Sequence, residues 1–197
     1  MFRNFIFIFF LSYFLNANVI DDARLLNPNV LDKIGKLGKE LESKTGIKVV
    51  LLTSQNKNNL SLNELVKPHL PRAPYVLLVL VPAKAGQKSG KVDLFLSDAS
   101  LVDKDEILSP RPNTGSILPI LVANKAEDIY NAALLNGYAD ICERIATSKN
   151  ITLENAIGSS NRTTLNILRY LIYGSILLVV GLLAYKKYFK KRENANE

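Results

Sequence analysis

One cysteine, Cys142, and one histidine, His69, are all that the 197 residues hold of the two side chains most used for soft-metal and nucleophilic chemistry. A lone cysteine closes no internal disulfide, so any folded domain must stand on its apolar core. With no second histidine, neither a zinc ligand set nor a Ser-His or Cys-His pair is well supported. His69 sits beside Pro68 and Pro71 and reads as surface, while Cys142 falls on the apolar side of a helical pattern and reads as buried and inert. There is no internal repeat and no nucleic-acid-binding motif. Charge points the same way. The net charge is +7, but seven of the 25 basic residues lie outside residues 19–164, which leaves that stretch at about +2. The basicity is terminal and reads as a membrane-orienting signal, not a nucleic-acid footprint.

The two ends are the most patterned parts of the chain. Arg3 precedes an apolar run over residues 5–15 broken by Ser12, with Ala17 near a plausible cleavage point, the layout of a signal peptide over residues 1–18. No charge occurs over residues 170–185, and Lys186, Lys187, Lys190, Lys191 and Arg192 follow. Sixteen helical residues rise about 24 Å, and flanking Arg169, Lys186 and Lys187 can snorkel to extend the run towards the roughly 30 Å hydrocarbon core. A single-pass transmembrane helix is expected over residues 165–189. The basic tail, residues 190–197, then faces the cytoplasm, and the preceding domain lies in the periplasm or otherwise outside the cytoplasmic membrane.

Between the ends, Asn27 and Pro28 form a helix start, and Val30, Leu31, Ile34, Leu37 and Leu41 predict an amphipathic helix to about Lys44, ended by Thr45-Gly46. Residues 47–53 and 75–81 are apolar runs that read as strands buried on both faces. Residues 61–70 predict a helix kinked or ended at Pro68. Residues 91–97 alternate and form a hairpin with the strand before them. Residues 98–119 are loop-rich, residues 117–122 hold a short helical piece, and residues 125–147 predict a last long helix. Residues 148–164, rich in Ser, Asn and Thr, read as a tether. The expected fold class is α/β: a small mixed sheet with helices on both faces (an α/β/α sandwich) over residues 19–147, plus the C-terminal transmembrane helix.

Candidate sites are few. Gly86-Gln87-Lys88-Ser89-Gly90-Lys91 is one residue short of a phosphate-binding loop, puts Val92 where Ser or Thr must hold magnesium, and joins strand to strand, so it reads as a solvated hairpin loop. Asn59, Asn150 and Asn161 fall in N-x-S/T sequons, which matter only in a eukaryotic secretory pathway. The remaining signal is acidic: Asp21 and Asp22 at the mature start, and Asp98, Asp103, Asp105 and Glu106 after the hairpin. Either Asp21, Asp22, Asp98 and Asp103 supply the oxygens that calcium or magnesium requires, or they cap turns and solvate loops.

The order of elements resembles the TPM domain family, which includes membrane-anchored bacterial proteins and plant thylakoid acid-phosphatase-like proteins. The resemblance covers about residues 19–147 and rests on the opening Val19-Ile20-Asp21-Asp22 with Leu25-Leu26, on Leu41-Glu42-Ser43-Lys44-Thr45-Gly46-Ile47, and on the strands over residues 49–53 and 75–81. It implies an α/β/α sandwich and an acidic site able to hold calcium, with phosphatase activity in some members and assembly or repair of membrane complexes in others. Asp22, with Asp21 beside it, matches the family's opening acidic position. The Asp-Arg pair usual in the loop after the second central strand is replaced here by Gly86-Gln87-Lys88-Ser89-Gly90. The usual Gly-x-Gly-Leu-Glu pattern is replaced by Leu96-Ser97-Asp98-Ala99-Ser100. Two readings therefore stand: a non-catalytic binding or assembly module for a membrane-associated protein partner, and a divalent-cation-dependent phosphatase built on the acids. A third, weaker one is an anchor that self-associates through Gly174 and Gly181.

Overall fold

Seven apolar residues between Pro74 and Pro82 suit a strand covered on both faces, because β-branched and leucine side chains pack on either side of a pleat. The computed structural model, which describes residues 18–84, 90–112, 114–123, 128–157 and 170–181, makes this strand β3 (Tyr75–Val81), inside a four-stranded sheet. The sheet order is β1 (Val19–Asp21), β2 (Lys48–Thr53), β3, β4 (Lys91–Leu96). The first three strands run parallel and β4 runs antiparallel to β3. The register aligns Asp21 with Thr53 and Thr53 with Leu80, so the carboxyl ends of the parallel strands form one edge. Lys91 pairs with Val81 and brings the start of β4 to that edge.

Helix α1 (Pro28–Thr45) joins β1 to β2. Its start is fixed by Asn27, whose side chain accepts from the Val30 N–H at 2.9 Å. Gly46, at φ 72, ends it and donates to the Glu42 carbonyl at 2.8 Å, a left-handed turn that glycine makes without a Cβ clash. Between β2 and β3 lies α2 (Leu62–Val66), opened by a reciprocal Ser61–Glu64 capping box and continued by a single 3-10 turn over Lys67–His69. After β4 come α3 (Lys104–Ile107), α4 (Leu118–Ala123) and α5 (Ile129–Ser148).

Alternation along the strands divides the core. Val49, Leu51, Val76, Leu78, Leu80 and Leu94 pack with α1 and α5, and Val50, Leu52, Leu77 and Val79 pack with Val66 of α2. Helices therefore cover both faces, thickly on one and thinly on the other. Where α1, α5 and β2 meet, the Tyr138 hydroxyl and the Asn18 amide both donate to the Val49 carbonyl, at 2.9 and 3.1 Å. Gly38 gives them room, since a Cβ there would stand 2.7 Å from Asn18 Nδ2 and against the Tyr138 hydroxyl. The two parallel crossovers step the same way along the sheet yet pass over opposite faces, so they are of opposite hand, an uncommon arrangement. The short α2 connection makes it tolerable, having little helix to pack.

Residues 148–157, expected as the start of a tether, are held down. Ile151 donates to the Ala146 carbonyl at 2.8 Å and Leu153 is buried. Glu40 of α1 accepts from the backbone N–H groups of Glu154 and Asn155 at 2.6 and 2.8 Å.

The transmembrane helix expected over residues 165–189 is corrected. Among the described residues no helix is long and apolar enough to cross a membrane. The described part of that span, residues 170–181, rises about 18 Å, and its residues 165–169 and 182–189 lie outside the described residues. It belongs to a separate compact unit from that of residues 1–156. The signal peptide through residue 17, the loop over residues 85–89, the last helix's expected start at 125–127, the rest of the tether and the basic tail lie outside the described residues.

Candidate functional site

Strand β1 ends in two adjacent acids that the structure uses differently. The Asp21 carboxylate folds back on its own turn: it accepts from the Leu25 and Leu26 N–H groups at 3.1 and 3.0 Å and from the Thr53 hydroxyl. Thr53 in turn accepts from the Ala23 N–H at 3.3 Å, and the Asp22 N–H donates to the Thr53 carbonyl at 3.1 Å. Asp21 thus ties the start of the α1 connection to the end of β2. Asp22 is exposed and faces the carboxyl edge.

Asp98 and Asp103 lie elsewhere. Strand β4 runs away from the carboxyl edge, so Asp98 follows Leu96, whose partner is Val76 at the start of β3. About 20 Å of strand separates that end of the sheet from Asp21 and Asp22. Asp98 accepts from the Ser100 N–H at 2.8 Å, which holds its carboxyl below the usual range. Asp103 caps α3, accepting from the Glu106 N–H at 3.0 Å. Glu106 forks onto the Arg144 guanidinium at 2.7 and 3.0 Å, and Arg144 also reaches Asp140, which pins α3 to α5. Asp105 is exposed.

The four expected metal ligands therefore form two separate pairs. Calcium takes six to eight oxygens. Asp21 has its oxygens engaged by three donors and, among the described residues, Asp22 has no second carboxylate free beside it, so these residues do not fit the calcium site that the resemblance implies. Among the described residues no group of three or more His, Cys, Asp or Glu is placed to hold a metal ion.

What the fold does build at the carboxyl edge is a crevice. After β1 the chain turns to one face of the sheet and after β2 to the other, and such a divergence opens a gap where α/β sheets take their ligands. The gap has a volume of about 550 Å³ and is lined by Asp22, Arg24, Ser54, Gln55, Asn56 and Lys57. Arg24, at φ 54, and Asn56, at φ 44, both sit in the left-handed region, which for arginine is a strained conformation. Asn56 is buried: its amide brackets the loop, donating to the Leu60 carbonyl at 2.8 Å and accepting from the Leu60 N–H at 2.9 Å. Lys84, from the end of β3, donates to the Asn56 carbonyl at 2.9 Å and to Asn59 Oδ1 at 2.5 Å. Asn131 of α5 braces the other wall, donating to the Leu25 carbonyl at 3.1 Å and accepting from the Asn27 N–H at 2.8 Å.

Sequence reasoning found Asp22 and missed Arg24, Asn56, Lys57 and Asn131. Only the run Ser54-Gln55-Asn56-Lys57-Asn58-Asn59, polar directly after a buried strand, carried a signal for the crevice. Cys142 is fully buried, and burial pushes its thiol well up from the ordinary value, consistent with an inert side chain. His69 is half-buried in the turn after α2. Comparison with protein-family models, with curated proteins and with solved structures finds no match to this chain.

Proposed function

We propose that the chain is a non-catalytic binding module that docks a partner protein at the carboxyl edge of its sheet. The observation that carries this reading is the crevice between β1 and β2, walled by hydrogen-bonded loops and lined by polar and charged side chains. Among the described residues that line it, Asp22 is the one carboxylate and stands among cations and amides, with no nucleophile–base pair beside it. The TPM-like opening of the chain supports an assembly role of the kind some members of that family serve. The leader-like residues 1–18 support a meeting place outside the cytoplasm, which the N-terminal sequence of the mature native protein checks: it should begin near residue 19.

A photocrosslinking residue placed at Gln55, an exposed position in the crevice, tests the docking site in intact cells. One reproducible protein adduct is expected from Gln55 and none from Lys33, an exposed position on α1. Equal adducts from both positions, or none from either, would overturn the reading.

A further inference from the structure

We infer that the crevice between β1 and β2 takes the C-terminal carboxylate of the partner chain; this rests on the binding-module reading and names the group that docks. The crevice is walled by the turn after β1 and the turn after β2, with Ser54 and Asn56 buried and Asp22, Arg24, Gln55 and Lys57 exposed. The Ser54 hydroxyl accepts from the Asn56 N–H at 3.1 Å, and its own proton has no acceptor among the described residues. Ser54 is only 8% exposed, so that O–H is largely withheld from water and gains from an acceptor brought into the crevice. Arg24 and Lys57 form no ion pair among the described residues, although Asp22 lines the same space. A guanidinium, an ammonium and an unspent hydroxyl around one gap are a donor set for a carboxylate, whose oxygens take the fork of an arginine and have lone pairs left for the others. A volume of about 550 Å³ lies in the range of pockets that hold small ligands, which is room for the last residues of a chain.

A phosphate suits the crevice less. Where α/β sheets hold a phosphate, on the amides of the turn after the first strand, the Leu25 and Leu26 N–H groups already serve the Asp21 carboxylate. Asp22 stands in the crevice besides, and repels a dianion more than a monoanion. The same Asp22 separates a chain end from an acidic side chain. In the last residue of a chain the N–H and the carboxylate hang on one carbon, so the N–H can meet the Asp22 carboxylate while the carboxylate meets Arg24 in the same turn. An internal Asp or Glu carries its carboxylate away from its own N–H and leaves Asp22 unmatched.

The test reads which part of the partner is trapped. With the photocrosslinking residue at Gln55 of the full-length chain, mass spectrometry of the digested adduct should show the partner's C-terminal peptide as the one attached. In cell extract, a synthetic peptide copying that C-terminus should compete the adduct away, and the same peptide with its carboxylate amidated should compete about tenfold less well. An Arg24→Gln/Lys57→Gln double variant should lower the adduct yield about tenfold, because each exposed ion pair contributes modestly. Both side chains are exposed, and an unchanged melting temperature would show that the fold persists. An adduct on an internal peptide, equal competition by the acid and the amide, a yield indifferent to the double variant, or displacement by inorganic phosphate beyond that of chloride at the same ionic strength would overturn the inference. Each of those outcomes leaves the binding module standing, whereas absence of any adduct strikes the module itself.

Discussion

At the scale of single residues, the two neighbouring acids make the clearest contrast. Asp21 accepts two backbone N–H groups and a hydroxyl in a half-buried turn, whereas Asp22 has no hydrogen-bond partner of that kind among the described residues and is exposed. Asp21→Ala should destabilise the fold by about 2 kcal/mol, because it strands donors that the turn removes from water. Asp22→Ala should stay within about 0.5 kcal/mol. Urea unfolding measures both, and equal losses would contradict the division of roles. Calcium or magnesium titrated against the melting temperature bears on the same pair. A site filled to 100 times its Kd would add about 2.7 kcal/mol, and no such shift is expected from a split set of ligands. A shift abolished by Asp22→Ala would reinstate a metal site. In the sequence the two acids are equivalent letters. What separates them is the pleat and turn of a three-residue strand, which places one side chain over Thr53 and the other at the open edge.

At the scale of elements, legibility followed local pattern. Helix α1 was readable because cap, proline, apolar spacing and terminal glycine all agree. Strands β2 and β3 were readable because strands covered on both faces are apolar throughout. Strand β1 was not, being three residues long and recognisable only through its pairing with β2. Helix α3 was not either, since its four residues depend on Asp103 as a cap and on the Glu106–Arg144 fork to a helix 38 residues away. The docked segment after α5 has the polar composition of a linker, and what holds it is distant in sequence: Glu40 and Lys44 of α1, together with the buried Leu153. Burial pushes the Glu40 carboxyl up, but the hydrogen bonds from Lys44 and from Glu154 and Asn155 outweigh it and hold the pKa at about 2, below the ordinary 4.5. The unfolded chain binds that proton more readily, so the contribution is present above about pH 4.5 and is lost as pH falls towards 2. The protection factors of the Glu154 and Asn155 N–H groups, taken against the intrinsic exchange rate at each pH, should fall across that window, and Glu40→Gln should give low protection at every pH. Full protection in Glu40→Gln would show that Leu153, Ile151 and Lys44 hold the segment without it.

At the scale of the molecule, the question is whether the domain needs anything beyond itself. Its only cysteine is unpaired, so no cross-link supports it. Both apolar clusters lie within residues 18–156, joined across the sheet by alternate side chains of β2 and β3. The outer edge of β4, where a sheet invites pairing with another chain, is partly closed by Asp93, which accepts from the Leu94 N–H at 2.8 Å and pairs with Lys104 at 2.7 Å. A domain near 140 residues buries roughly two thirds of its unfolded surface, enough for cooperative folding without staples. A fragment of residues 18–156 should therefore unfold in one transition by calorimetry, with a midpoint within about 3 °C of the domain transition in the full chain, a gap under about 1 kcal/mol at this size. A midpoint more than about 10 °C lower would mean that residues beyond 156 complete the core. The crevice between β1 and β2 would then have to be sought again in the longer chain, because its walls are loops that such a core would hold in place.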